Sequence, residues 1–115
     1  MSEIKANDMN ISTGVVEAIV QVAAQKVEGV EAISQGVREG VFGALFNQPS
    51  VRGIEISTNE HDNLIVDVHI SVAYKKRLQD IAEELRKVIN NALKLQIGIE
   101  ASEINIYVDD IIFKK

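Results

Sequence analysis

The clearest pattern of hydrophobic and polar positions lies between residues 64 and 74, which read LIVDVHISVAY. The even-numbered positions up to Val72 are all aliphatic, whereas the odd-numbered positions include Asp67, His69 and Ser71. Successive side chains of a β-strand point to opposite faces, so this alternation predicts a strand with one dry face and one face that is at least partly wet. We expect this strand to organise the fold and the long helix that follows it to cover its dry face.

Two segments have the three- and four-residue spacing of hydrophobic positions that is typical of amphipathic helices. The first helix is predicted over about residues 13–26, with an N-cap at Ser12 or Thr13, after an opening segment, Ile4–Asn10, that is compatible with an edge strand. Its expected core stripe consists of Val16, Ile19, Val20, Ala23 and Val27, widened by Val15 and Val22. The second helix, of about 20 residues, ends at Gly98, because glycine commonly follows the last helical turn. Its expected stripe consists of Leu78, Ile81, Ala82, Leu85, Val88, Ile89 and Ala92.

The remaining apolar segments predict short strands. Gly29 ends the first helix and is followed by a strand over residues 30–34. Another strand covers residues 51–58, and the polar turn at residues 59–63 joins it to the central strand. A five-residue turn between two strands predicts an antiparallel hairpin.

The order helix, strand, hairpin, helix, strand predicts an α+β fold, in which a last strand alternates from Ile104 to Asp109. We expect a two-layer sandwich whose mixed, mainly antiparallel sheet of three to four strands carries two helices on one face. The sequence offers no third helix for the other face, which carries Glu55, Ser57, Asp67, His69, Ser71, Asn105, Tyr107 and Asp109. A single domain over residues 1–115 is expected, since two cores would each be too small to be stable.

The connector over residues 36–50, GVREGVFGALFNQPS, interrupts this regular pattern. Its three glycines make a regular element costly. Its apolar side chains nevertheless form a compact cluster, Val41, Phe42, Leu45 and Phe46. Two interpretations remain open: the connector folds its phenylalanines under the core, or it is a mobile amphipathic turn that is offered to a partner protein.

The composition excludes several classes of function. The chain has no Cys, which excludes disulfides and thiolate metal sites and fits a reducing cytoplasm. Its formal net charge of −5 argues against nonspecific nucleic-acid binding and against attraction to anionic lipid, both of which rest on Lys and Arg. No apolar run approaches the roughly 18–20 residues that span a bilayer, and the polar N-terminus is no signal peptide. We therefore expect a cytoplasmic protein without direct membrane insertion.

Asp67 and His69 are the strongest candidates for metal binding or acid–base chemistry, because their i,i+2 spacing on a strand puts both side chains on one face. A metal site requires three or four ligands, and His61 lies in a turn some distance away. A solvated sheet face therefore explains the pair better. The sequence contains no nucleophile motif and no phosphate-binding glycine loop, so we expect no catalytic residues, no metal and no cofactor.

A basic run, Lys75, Lys76 and Arg77, precedes the second helix. Cations are unfavourable at a helix N-terminus, where the helix dipole places partial positive charge. Two interpretations remain open: a solvated charge run beside an acidic helix face, or a site for an acidic partner or a phosphate group.

The end of the chain predicts self-association. Ile112 and Phe113 make the last strand a poor unprotected edge, since natural edges are usually blunted by charges or bulges. The uncovered sheet face beside it, which carries Tyr107, is too polar for a core but has few lysines. We expect a homo-oligomer, a dimer or larger, that shares this edge or this face.

Three segments resemble the bacterial alkaline-shock-protein family, which is common in Gram-positive bacteria. They are residues 15–34, the hairpin at residues 51–74, and residues 84–113. The junction Val27-Glu28-Gly29-Val30 and the closing pattern IxIxVDDI are the most telling features. The chain departs from the family where Lys75 replaces a frequent Gly and where Gln96-Ile97-Gly98 replaces a frequent Thr-Gly, and it lacks the long charged tails of the abundant stress-induced members.

The resemblance implies a non-enzymatic cytoplasmic protein of cell-envelope homeostasis and alkaline stress. Some family members are held beneath the membrane by a separate anchor protein, and some short members accompany genes of fatty-acid metabolism. We therefore expect a scaffold or adaptor that self-associates and binds another protein, such as a membrane anchor protein. The alternatives are a regulatory accessory protein of fatty-acid or lipid metabolism, and a small-ligand or nucleic-acid-binding module. The family has no defined catalytic residues to carry over.

Replacing His61 and His69 together by Gln is expected to leave the cellular phenotype intact, because neither histidine has the companions that catalysis or metal binding requires. Complementation of a deletion strain under stress measures this, with circular dichroism as the control for folding. A folded double variant that behaves like the deletion would contradict a non-enzymatic role.

Overall fold

The computed structural model describes residues 3–6, 9–33, 53–74 and 76–113. In chain order they form β1 (Glu3–Ala6), β2 (Met9–Ser12), α1 (Thr13–Gln25), β3 (Val30–Ile33), β4 (Ile54–Thr58), β5 (Leu64–Ala73), α2 (Leu78–Ile97) and β6 (Glu103–Ile112). Strands β1 and β2 form a two-stranded antiparallel sheet, and the other four strands form a second, mixed sheet. The predicted α+β class is confirmed, and both helices contribute to the core on one face of the four-stranded sheet.

Strand β5 is the centre of the four-stranded sheet. Antiparallel β4 pairs with residues 64–68 of β5, and antiparallel β3 pairs with residues 70–72, so these two short strands share one edge of β5. Strand β6 runs parallel to β5 along the other edge. Buried and half-buried side chains alternate over all ten residues of β5, and none of its even-numbered side chains is more than 3% exposed. The predicted dry face is therefore confirmed.

The helices begin and end as their sequences predict. Ser12 is the N-cap of α1, and its Oγ accepts a hydrogen bond from the backbone N–H of Gly14 at 3.1 Å. Gly98 ends α2 in the left-handed conformation, with φ of +81°, and its N–H donates to the carbonyl groups of Leu93 and Lys94.

Three positions assigned to the helix stripes are wrong. Val15 and Val22 are 48% and 54% exposed. Each directly precedes a buried residue, Val16 or Ala23, and successive residues of a helix are about 100° apart around its axis, so the two valines point away from the core. Leu78 is 43% exposed, because it is the first residue of α2 and a helical side chain covers the surface N-terminal to its own position. The stripe of α2 instead extends to its C-terminus through buried Leu93 and Ile97.

The opening segment is a hairpin, whereas the sequence indicated at most one edge strand. Strand β1 pairs with β2, and the pairing places Ile4 opposite Ile11. Both isoleucines are buried in the main core. Two short strands that are each too weak to be predicted alone therefore form a flap whose apolar side joins the core.

Strand β6 contains an irregularity that its alternation does not reveal. Ile70 of β5 pairs with Val108, but the next residue, Ser71, pairs with Asp110. Asp109 is therefore an inserted residue, which makes a β-bulge. From this point on, the side chains of β6 have exchanged faces relative to a regular strand.

The junction between α1 and β3 explains the glycine in the Val27-Glu28-Gly29-Val30 segment. Gly29 has φ of +101°, a conformation that side chains other than glycine rarely adopt. A Cβ atom at this position would lie 2.8 Å from Cδ1 of Ile81. The Gly29 carbonyl also accepts a hydrogen bond from the N–H of Ala73 at 2.8 Å. This backbone therefore contacts both α2 and the end of β5.

Leu85→Ala is expected to lower the free energy of unfolding by about 2–5 kcal/mol, because Leu85 is fully buried in the core. The matched control is Leu95→Ala in the same helix, where the side chain is 86% exposed and the change is expected to be within about 0.5 kcal/mol. Urea unfolding curves measure both values. Equal losses would show that the buried face of α2 is assigned wrongly.

Gly29→Ala is expected to cost about 1–3 kcal/mol for the backbone conformation alone, with a further loss from the contact with Ile81. Gly98→Ala is the control, because Gly98 also has positive φ but is exposed at the end of α2. Thermal or urea unfolding is expected to rank Gly29→Ala below Gly98→Ala. The opposite order would exclude close packing at this junction.

Candidate interaction surface

The sheet face opposite the helices, called the open face from here on, carries a hydrogen-bonded polar row. Asp67 of β5 and Asn105 of β6 are paired in the parallel register, so their side chains lie side by side. The Nδ2 of Asn105 donates to Oδ1 of Asp67 at 2.8 Å. Both side chains are only half-buried, which fits the prediction of a face in contact with water.

One step further along the open face, His69 is held by two neighbours from β6. Its ring stacks on the ring of Tyr107, with 4.6 Å between the ring centroids and 15° between the planes. Its Nδ1 lies 3.0 Å and 3.2 Å from the two carboxylate oxygens of Asp109. Asp109, the inserted residue of the bulge, comes two positions after Tyr107 and lies on the same face.

This arrangement orients the imidazole of His69 but does not supply the three or four ligands that a metal ion requires. Within residues 3–6, 9–33, 53–74 and 76–113, no group of three or more His, Cys, Asp or Glu side chains is arranged to hold a metal ion. His61 lies in the turn between β4 and β5, and its side chain is 74% exposed. The geometry of the open face is that of a polar surface whose side chains are ordered by contacts with one another.

A second surface lies where β5 ends, α2 begins and β6 ends. It is an exposed apolar cluster, called the terminal patch from here on, made of Tyr74, Leu78, Val108, Ile111 and Phe113. These side chains are between 38% and 69% exposed. The rings of Tyr74 and Phe113 are in contact, with 4.5 Å between their centroids. A patch of adjacent large apolar side chains on a protein surface commonly marks an interaction site.

The terminal patch contains two adjoining depressions that share Leu78 and Ile111. The first is lined by two basic residues, Lys76 and Arg77, together with the end of β5. The second is lined by two acidic residues at the β-bulge, Asp109 and Asp110. The charges around the patch are therefore separated by sign.

The charged side chains around the patch differ in the contacts that they make within the chain. The Nζ of Lys76 lies 3.0 Å from a carboxylate oxygen of Glu28, whereas the Nε of Arg77 lies 3.8 Å from Oδ2 of Asp80. Both groups of the second pair are mostly exposed, and such pairs contribute little to stability. Asp110 accepts a hydrogen bond through Oδ1 from the neighbouring backbone N–H, at 2.9 Å.

The candidate residues from the sequence fall into three groups. Lys76, Arg77 and Phe113 come together at the terminal patch. Tyr107 and Ile112 lie on the open face, since they pair with His69 and Ala73 of β5. The remaining candidates lie outside the described residues: Val41, Phe42, Leu45, Phe46 and Lys75.

Sequence reasoning missed Tyr74, Leu78 and Val108 as parts of one surface. Leu78 continues the helical stripe of α2, and Val108 continues the alternation of β6, so both patterns indicate burial. A positional signal was available for two of them, because Tyr74 directly follows β5 and Leu78 is the first residue of α2. Val108 lies within β6, directly before the bulge, and had no such signal. The apolar end of the chain pointed to the same place.

Neither α1 nor α2 combines the length and the apolar character that a membrane-crossing helix needs. This statement applies to the described part of the chain.

Comparison with known proteins gives relatives in streptococci. Over 98 residues, or 84% of its length, the chain is 26% identical to the "Stress response regulator gls24 homolog" of Streptococcus pyogenes serotype M3 (strain ATCC BAA-595 / MGAS315), and equally to that of serotype M1. The match covers 54% of each relative, so the chain spans about half the length of the curated relatives it matches. Among solved structures, MamM-CTD 215-293 aligns over 86% of this chain and 99% of its own, with 13% identity and a TM-score of 0.49.

A family model matches residues 1–113, almost the whole chain, and the family is described as having a cell envelope-related function. The match agrees with the resemblance in the helix, hairpin and C-terminal segments. The protein therefore belongs to the alkaline shock protein family.

Proposed function

We propose that this protein is a non-enzymatic scaffold or adaptor of the cell-envelope stress response, which acts by binding another protein and by self-association. The observation that carries the proposal is the terminal patch, where five large apolar side chains are exposed side by side. Leaving such a surface in water costs free energy of about 25 cal/mol per Å² of apolar area, which a binding partner removes. The family description and the relatives' names support the stress-related context.

The proposal includes a cytoplasmic protein that reaches the membrane only through a partner, such as a protein that carries a membrane anchor. The net charge of −5 supports this arrangement, because direct attachment to an anionic leaflet relies on clusters of Lys and Arg. An apolar patch with charges at its margins is suited to a protein partner, since protein interfaces combine an apolar centre with a polar rim.

The proposed role is tested in a deletion strain of the native host that carries a Leu78→Ser, Ile111→Ser variant. The variant is expected to fail to restore growth under alkaline or cell-envelope stress, because both residues line both depressions of the terminal patch. Leu95→Ser is the matched control, since Leu95 is 86% exposed on α2 and does not line the patch. It is expected to restore growth as the wild type does.

Circular dichroism and urea unfolding of the purified variants show whether each one folds. A folded Leu78→Ser, Ile111→Ser variant that restores growth fully would contradict a role for the terminal patch in function.

A further inference from the structure

We propose that the terminal patch is where a second copy of this chain binds, with the basic end of each patch facing the acidic end of the other. The inference rests on the proposed self-association and deepens it, because it assigns the surface, the symmetry and the charge pairing. It selects the terminal patch over the edge of β6 and over the open face.

The charges around the terminal patch are arranged so that the patch is complementary to a second copy of itself. In a two-fold symmetric dimer the same patch is used by both copies, so it must be complementary to itself. Arg77 lines only one depression of the patch and Asp110 lines only the other, with Leu78 and Ile111 common to both. A two-fold axis near the shared residues brings each basic end opposite the partner's acidic end. The same rotation stacks the two apolar centres.

The N-terminus of α2 adds positive charge to the basic end of the patch. Arg77 is the N-cap residue of α2 and has no side-chain capping hydrogen bond, and the positive end of the helix dipole lies there beside the cations. Within one chain Glu28 and Asp80 offset this positive charge only in part, because the pair of Arg77 with Asp80 is long, at 3.8 Å, and mostly exposed. In the dimer, the partner's acidic end offsets it, which gives the basic run the acidic partner that the sequence suggested.

Strand β6 is poorly suited to form a continuous sheet with the β6 of a second copy. The bulge at Asp109 interrupts the regular ladder that another strand would extend, and bulges of this kind protect sheet edges. Strand β6 also carries only acidic charges, Glu103, Asp109 and Asp110. Pairing two copies of it edge to edge therefore offers no opposite charges across the new ladder.

The experiment exchanges charges between the two ends of the patch. Arg77→Glu replaces one of the two cations of the basic end by an anion, and Asp110→Lys replaces one of the two carboxylates of the acidic end by a cation. Each variant alone therefore sets a like charge opposite the unchanged end of its partner, and it is expected to self-associate at least about tenfold more weakly. An equimolar mixture of the two variants is expected to form a heterodimer as tight as the wild-type dimer. The chain that carries both substitutions is expected to recover self-association. Analytical ultracentrifugation at low salt measures each dissociation constant.

Lys87→Glu is the matched control, because Lys87 is exposed on α2, does not line the patch, and the substitution changes the net charge by the same amount. It is expected to leave the dissociation constant within about twofold. An equal effect of Lys87→Glu and Arg77→Glu would overturn the inference, since net charge would then explain the result. Failure of the mixed variants to associate would also overturn it.

Other outcomes separate this inference from the proposed function. A wild-type chain that remains monomeric at about 100 μM, where contacts with Kd values up to the micromolar range are populated, overturns the second copy as occupant. If Leu78→Ser, Ile111→Ser still abolishes complementation in that case, the patch binds a different protein and the adaptor role stands. A dimer that tolerates every charge variant but is lost in Tyr107→Ser lies on the open face, which overturns the assignment to the patch alone.

Discussion

The structure depends on the burial of one face of β5. Three strands pair with β5, and the aliphatic side of this strand lies in the same core as the buried sides of both helices. Fully burying one aliphatic side chain contributes about 1.5–3 kcal/mol, and β5 supplies five of them. Because β3 and β4 contact the rest of the sheet only through β5, the four-stranded layer has no alternative centre.

The same strand determines where the terminal patch lies. Strands β5 and β6 run parallel side by side, so the chain must return along α2 before β6 begins. The ends of both strands and the start of α2 therefore meet at one place. Since α2 begins only at Leu78, it leaves the apolar side chains at the end of β6 exposed. The connection that completes the core thus also creates the surface that we propose for binding.

Much of the fold follows from local periodicity, because a single buried face repeats with period 2 in β5 and with period 3.6 in the helices. The capping residues Ser12 and Gly98 add the helix ends for equally local reasons. The hairpin of β1 and β2 and the bulge at Asp109 depend on pairing between segments, which no local pattern encodes. The terminal patch escapes prediction for the same reason: Leu78 and Val108 are apolar positions whose exposure is decided by where other elements end.

The inserted residue in β6 has a consequence for comparing members of this family. A relative that lacks this one residue keeps every pairing of β6, because Ser71 then pairs with the residue directly after Val108 in a regular ladder. If instead the strand kept all its residues and formed no bulge, Ile111 would share the side of His69, and Ile112 would take its place beside Leu78. A gap of a single position at Asp109 in an alignment of relatives is therefore compatible with the same apolar side chains next to α2, whereas an ungapped relative presents them only if it also has the bulge.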